Sequence, residues 1–398
     1  MKALAVAMAT ATLLQTAPSG WPQLLGPRRN LTTSELSVPE KPTLAEAWRR
    51  PVGAGVAAIV VSGGRAYTLD SDGEDDYLLA LEAADGKDLW RVKIGKTHAD
   101  AANGPGSTPA VAGDLVIAFG SSCRLAAFST RDGKPAWDVD FAQVYKTRFA
   151  ARGSCFISPL VHGDLVVLPT GAREGSRVVA FDVATGKPRW TAATEMSLNT
   201  NTSTWDTPGG PHLLYHYFKA PGTSGLAALK LADGTTTWTI DAESGMSNTA
   251  ALALDGSRVL LQTWQGSVVI DATGTPRRLW SNNALIALPI PAVSIGGHIF
   301  GFGGNSGEYL TCVDAASGVT TWTQRTYRGA IVATERVLVM QSEGSGLLRL
   351  ISADPSKYVE LARFQTLKPG ATTVTPPTIA ANRIYVRNLE EIVGVTVR

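Results

Sequence analysis

Apolar and polar positions alternate along this chain in short runs separated by turn residues. The first set is 57–61, 65–69, 78–81 and 89–92, broken by Gly63-Gly64, a polar stretch, and Asp85-Gly86. The second set, 108–111, 115–119, 125–128 and 136–139, repeats it, with turns at Gly113-Asp114 and Asp132-Gly133. Period-two runs with turns about every eight to twelve residues predict strands in an all-β fold. No long segment carries the 3.6-residue period of an amphipathic helix.

A sharper repeat is laid over this alternation. The third strand of each unit, a tight turn and a tryptophan recur as LLALEAADGKDLW to Trp90, LAAFSTRDGKPAW to Trp137 and VVAFDVATGKPRW to Trp190. They return as LAALKLADGTTTW to Trp238, a register-shifted VVIDATGTPRRLW to Trp280, and LTCVDAASGVTTW to Trp322. Four strands in a unit of roughly 40 to 45 residues is the period of a β-propeller blade. Counting Trp48 at one end and Phe364 as a degenerate marker at the other gives eight outer strands. Trp48 has no strands before it, and the strands predicted at 373–378, 383–386 and 392–397 have no marker after them. The two fragments complete each other. The expected fold is an eight-bladed β-propeller of four-stranded antiparallel blades, closed by an N-terminal strand that joins the C-terminal blade. Shared strands remove the open edges that invite aggregation. Trp48, Trp90, Trp137, Trp190, Trp238, Trp280 and Trp322 are read as structural side chains that dock neighbouring blades.

Asp182 to Trp190 (DVATGKPRW) and Asp314 to Trp322 (DAASGVTTW) resemble the pyrroloquinoline-quinone-like (PQQ-like) propeller repeat. The resemblance covers Ala45 to Arg398. Trp21-Pro22-Gln23-Leu24-Leu25-Gly26-Pro27 is similar to the start of many exported bacterial members. The resemblance implies an eight-bladed ring and two kinds of function. One is quinone-dependent alcohol and sugar dehydrogenases. The other is non-catalytic scaffolds such as the propeller lipoprotein of the outer-membrane protein assembly machine. A fold cannot choose between them; a site must. The seventh unit, Ser352 to Lys357, keeps a turn but loses the Gly and Trp, which predicts an irregular outer hairpin.

Composition narrows the class. The chain has 398 residues, 44% of them hydrophobic, and a net charge of +2 from 36 basic and 34 acidic residues. That balance gives no basic stripe for nucleic acid. Residues 1–19 read as a signal peptide, with Lys2, an apolar stretch and small residues near Ala17. No apolar run is long enough for a transmembrane segment. The expected organisation is a leader over 1–19, an extended arm over 20–44 and the propeller over 45–398. The expected location is periplasmic or secreted, and the expected state monomeric. Cys123, Cys155 and Cys312 leave two readings open. Cys123 and Cys155 form one disulfide in an oxidising compartment, or all three are small buried side chains.

Candidate chemistry is sparse. The quinone enzymes of the resembled family stack their cofactor on a disulfide of adjacent cysteines and hold Ca²⁺ through several oxygen ligands. This chain has no adjacent cysteines, so no cofactor is expected, with PQQ and calcium as the alternative. Asp70, Asp72 and Asp75 in the acidic loop 70–76 are a weak calcium candidate. The EF-hand spacing would put a glutamate where Leu81 stands. Two long inter-blade loops, Gly95 to Gly106 and Phe141 to Gly153, carry Lys96, His98, Asp100, Asn103, Tyr145, Lys146, Arg148 and Arg152. With Trp205 and Trp264, which lie outside the repeat, these are the candidate residues for binding a partner, since loops on a rigid scaffold carry recognition. No catalytic residue is expected. The leading reading is a non-enzymatic, exported scaffold that binds a protein partner in the envelope. The alternatives are a quinone-dependent dehydrogenase and a carbohydrate- or peptide-binding module.

Overall fold

The computed structural model describes residues 20–398 except 100, 102, 148–154, 173–174, 176, 193–199, 221–222, 243–248 and 371–374. The expected leader lies outside the described residues. The strands form eight four-stranded antiparallel sheets, the blades of a propeller. Blades 1 to 7 each use four consecutive strands. Blade 1 runs from Val60–Ser62 to Asp88–Lys96, and blade 7 from Gly329–Ala333 to Glu360–Gln365. Blade 8 is composite: Thr378–Ala380, Arg383–Arg387 and Glu391–Val397 are completed by Leu44–Pro51 from the other end of the chain. Ring closure by the strand through Trp48 is therefore as the repeat count predicts. Two expectations move. The strand expected at 373–378 begins at Thr378, because Pro376 and Pro377 have no N–H to give a ladder. One short helix, Phe141–Tyr145, occurs among the described residues, capped by Asp140, whose side chain accepts from Gln143 N.

The tryptophan repeat has a consistent geometry. In each outer pair the Trp faces a small or β-branched partner beside a bulge: Ala80 and Trp90, Ala127 and Trp137, Ala180 and Trp190, Ala228 and Trp238, Val269 and Trp280, Cys312 and Trp322, Gly394 and Trp48. The indole then reaches the outer hairpin of the next blade. Trp48 Nε1 donates to Ala83 O (3.2 Å), Trp137 Nε1 to Val183 O (2.8 Å) and Trp190 Nε1 to Leu231 O (3.0 Å). The hairpin glycine makes room for it. Gly186 has φ +66°, and a Cβ there would lie 2.5 Å from the Trp137 ring. Both facts select glycine.

Blade 7 breaks this rule for a reason visible in blade 8. The marker position there is Ala362, opposite Leu350; Phe364 pairs with Leu348 and is not the marker. The large and small partners have exchanged strands. The corresponding corner of blade 8 is not a hairpin, because its third and fourth strands come from distant parts of the sequence, Val397 pairing with Leu44. A Trp at 362 would have no hairpin to dock under. Seven tryptophans serve the seven hairpins that a composite blade leaves.

In several of the outer hairpins an aspartate caps the turn. Asp182 Oδ1 accepts from Thr185 N (2.9 Å) and Oγ1 (2.8 Å), and Asp314 Oδ1 from Ser317 N (2.8 Å) and Oγ (2.6 Å). The hydroxyl bond, before any other cause, holds Asp182, Asp271, Asp314 and Asp354 below the usual carboxylate range. A carboxylate whose folded pKa is depressed stabilises the fold above its unfolded pKa, about 4, and loses that as pH falls through the folded value. The melting temperature should therefore be level near pH 6 and fall progressively below about pH 4. A pH series of thermal melts checks this; a level profile down to pH 2 would contradict it.

Candidate functional site

The antiparallel up-and-down order gives the ring two different faces. Turns between first and second strands, and between third and fourth, lie on one face. Turns between second and third strands, and the connections between blades, lie on the other. Both long loops expected to carry recognition are inter-blade connections, so they rise on this second, loop-bearing face.

The central channel is closed on the opposite face by the arm. Trp21 N and O pair with Val61 of blade 1 (2.8 and 2.9 Å), and Pro22 O accepts from Val111 N of blade 2 (2.7 Å). Gln23 Oε1 accepts from Val161 N of blade 3 (3.0 Å). Arg29 donates to Thr202 O beside blade 4. Thr33 N donates to Ala333 O of blade 7 (2.9 Å), and Asn382 N of blade 8 to Glu35 O (2.9 Å). Trp21, Leu24, Leu25, Leu31 and Leu36 are buried in one cluster that includes Ala250 of the fifth unit and Val293 of the sixth. The arm is thus a plug inserted across the innermost strands, more intimate than a strand laid over the body.

Above the plug the innermost segments are tied blade to blade by small polar side chains. Ala58 N donates to Thr108 Oγ1 (2.9 Å), Thr108 N to Ser158 Oγ (2.9 Å) and Ser158 N to Asn201 Oδ1 (2.7 Å). The recurring Thr108-Pro109 and Ser158-Pro159 were the sequence signal for this ring, and a reading fixed on the Trp repeat passes over it. A hard cation takes six to eight oxygen ligands. Among the described residues no group of three or more His, Cys, Asp or Glu is placed to hold a metal. The linked residues Ala58, Thr108, Ser158 and Asn201 offer no carboxylate. These residues do not fit a quinone with its calcium.

The acidic loop disperses its charges. Asp70 pairs with Arg91 (3.0 Å) and accepts from Gly53 N (3.1 Å). Asp72 accepts from Glu74 N, Asp75 N and the Tyr77 hydroxyl, bonds that hold its carboxyl down to about 2. Asp75 pairs with Lys93 (2.7 Å) and Lys96 (3.1 Å). Asp76, fully buried, accepts from Ser121 N (2.6 Å) and Thr97 Oγ1 (2.9 Å); burial pushes its carboxyl up. The three candidate calcium ligands thus turn to three sets of partners and do not converge.

The candidate rim residues separate in the same way. Lys96 is held by Asp75, and His98 N donates to Ser121 Oγ (2.8 Å). Asn103 and Lys146 are exposed. Tyr145 turns inward on Phe141 (4.9 Å between ring centroids) and Phe181 (6.3 Å). Asp100, Arg148 and Arg152 lie outside the described residues. Cys123 and Cys155 are disulfide-bonded and clip the base of the second loop, with Cα atoms 5.3 Å apart; Cys312 is a free, buried thiol. Trp205 is buried, not presented: it packs edge-on against Trp238 (5.9 Å) and donates to Asp255 O (3.0 Å).

Trp264 is different. It stands at the tip of the tight turn between Thr263 and Gly266 on the loop-bearing face and is 54% exposed. It borders a groove of about 340 Å³ whose floor is Leu288, Pro289 and Ile290 and whose far wall is Arg328 and Glu343. Arg328 is locked to Glu343 by two bonds (2.5 and 2.9 Å). A second hollow of about 750 Å³ continues it past Arg328 to Arg325, Tyr358 and Tyr327, which is 63% exposed. Both hollows are lined by polar and apolar side chains in about equal parts, with the two exposed aromatics at their edges. Residues 288, 327 and 343 carry no repeat signal, so sequence reasoning found only Trp264.

The matrix of relatives agrees with this architecture. The family model of the outer membrane protein assembly factor BamB matches residues 32–201 and 142–324. The outer membrane protein assembly factor BamB of Burkholderia pseudomallei (strain K96243) is 26% identical over 369 residues, 87% of this chain and 86% of that protein. The quinohemoprotein alcohol dehydrogenase ADH-IIG of Pseudomonas putida is 31% identical over 157 residues, 37% of this chain and only 21% of that enzyme. The crystal structure of BamB from Moraxella catarrhalis superposes with a TM-score of 0.62 at 14% identity, covering 89% of this chain and 99% of that one.

Proposed function

The chain belongs to the family of the outer membrane protein assembly factor BamB, and from that premise we propose that it is a non-enzymatic scaffold of outer-membrane protein assembly. It works as a monomer on the periplasmic side of the envelope and takes a protein partner on its loop-bearing face. The observation that carries this reading is the groove of Trp264, Leu288, Ile290 and Tyr327, set on one hairpin turn and two inter-blade connections beside the paired Arg328 and Glu343. Such a surface suits an extended segment of a partner protein that carries apolar anchors for the two aromatics and polar groups between them.

Replacing Trp264 and Tyr327 by alanine together should weaken partner capture by about 2–4 kcal/mol, some thirty- to a thousand-fold. Both side chains are largely exposed, so the melting temperature should not move. Co-purification with outer-membrane assembly proteins from detergent-solubilised envelopes, compared between the intact chain and the double variant, reads this out. Equal recovery would remove the groove from the reading.

The second reading, a PQQ-dependent dehydrogenase with calcium, is favoured by the repeat identity to the Pseudomonas putida enzyme. The expected result on adding PQQ and Ca²⁺ is an unchanged absorbance spectrum and melting temperature. A saturable spectral change at micromolar quinone would replace the scaffold reading with this one. A carbohydrate-binding role is tested by the same melts with oligosaccharides.

A further inference from the structure

Arg29 in the arm is a buried charge without a counter-charge among the described residues. Its residue is 2% exposed, and no carboxylate pairs with it among the described residues. Nη1 donates to Gln23 Oε1 (3.0 Å) and Nη2 to Thr202 O, while Nε has no acceptor. The hydroxyl of Thr202, the residue it grips, is buried and unpartnered as well. Burial alone pulls the guanidinium down to about 9, which leaves it protonated at neutral pH. Arg387 makes the contrast. It is equally buried, but it donates to Asn388 O, Thr68 Oγ1, Leu69 O and Gly53 O, and the charge of Asp70 acts on it. One buried arginine has an acceptor at each of its three nitrogens and a carboxylate acting on it; the other, among the described residues, has neither.

An isolated buried ion costs several kcal/mol unless it is paired, and a buried donor without an acceptor adds to that. We propose that the arm and blade 4 enclose a small monovalent anion, bound by Arg29 Nε–H and the Thr202 hydroxyl. Chloride is the simplest member of the class by charge; formate or acetate would meet the same two donors through an oxygen. The anion fastens the plug to the ring at the point where the arm turns back across the channel. Its role is structural and independent of what the loop-bearing face captures.

Thermal melts of the full chain at constant ionic strength, exchanging gluconate for bromide, test it. Gluconate is too bulky for an enclosed site. The melting temperature should rise by about 1.5 °C for each tenfold increase in bromide, and Arg29→Met should abolish the dependence. No dependence in the intact chain, or the same dependence in Arg29→Met, would overturn the proposal. Should Arg29→Met not fold, crystals of the intact chain grown in bromide decide. An anomalous peak beside Arg29 Nε supports the site, and planar carboxylate density there, from crystals grown in formate, supports the same site with the other source. A water in that position overturns it. A bromide peak with no effect on melting means an adventitious ion only and also overturns it.

Discussion

A chain beginning at residue 37 should fail to yield a stable propeller, whereas a chain beginning at residue 20 should fold. The segment between contributes Trp21, Leu24, Leu25, Leu31 and Leu36, all at most 6% exposed. At about 1.5–3 kcal/mol for each buried large apolar side chain, their loss removes on the order of 8–15 kcal/mol as an upper bound. That is comparable to the whole stability of an ordinary domain, about 5–15 kcal/mol. The truncation also strips backbone partners from the first strands of blades 1, 2 and 7, leaving edges that can pair with another molecule. Soluble yield and thermal melting of the two chains are the measurements. A truncated chain that melts within about 2 °C of the longer one, roughly a 1–2 kcal/mol effect, would refute the plug.

Trp48→Ala should be the most damaging of the single tryptophan substitutions, at about 3–5 kcal/mol. Its indole is 8% exposed and lies between the two ends of the chain and the first blade. Nε1 donates to Ala83 O, the ring sits 6.1 Å from that of Tyr385, and a Cβ on Gly86 or Gly394 would come within 2.6 Å of it. The other tryptophans each dock one hairpin between blades built from continuous chain. Trp48 docks its hairpin from a strand that comes from the opposite end of the sequence and whose backbone ladder in blade 8 is with Glu391–Val397. The cavity left by alanine therefore weakens the ring at its seam. Urea denaturation of Trp48→Ala beside Trp137→Ala would measure the difference, with Trp264→Ala as the exposed control. A Trp48→Ala loss below about 1 kcal/mol would contradict this account, because so small a loss is typical of a surface change.

The architecture was legible because a propeller repeat is written locally. Asp182, Thr185 and Gly186 specify their own hairpin within a few residues, and alternation specifies the strands on either side. The groove was legible only at Trp264. Leu288, Tyr327, Arg328 and Glu343 come from three different connections and become neighbours through the ring, so no window of sequence holds them together. Trp205 misled for the complementary reason. It falls outside the repeat, as a recognition residue would, but it fills the packing beneath Trp238, whose own indole nitrogen is buried without a partner among the described residues.

The sequence by itself determined the number of blades, the order of strands and the strand that closes the ring, since turn chemistry and period-two alternation act between near neighbours. The tertiary structure alone decided which tryptophan meets which glycine. Gly86 and Trp90 belong to one motif, yet the ring that touches Gly86 is Trp48, one blade away. It also decided why the seventh blade carries Ala362, because only in the closed ring is the eighth blade's outer corner made of two distant parts of the sequence instead of a hairpin. The arm's fate was decided there too: its apolar residues name no destination until eight innermost strands surround a channel that must be filled.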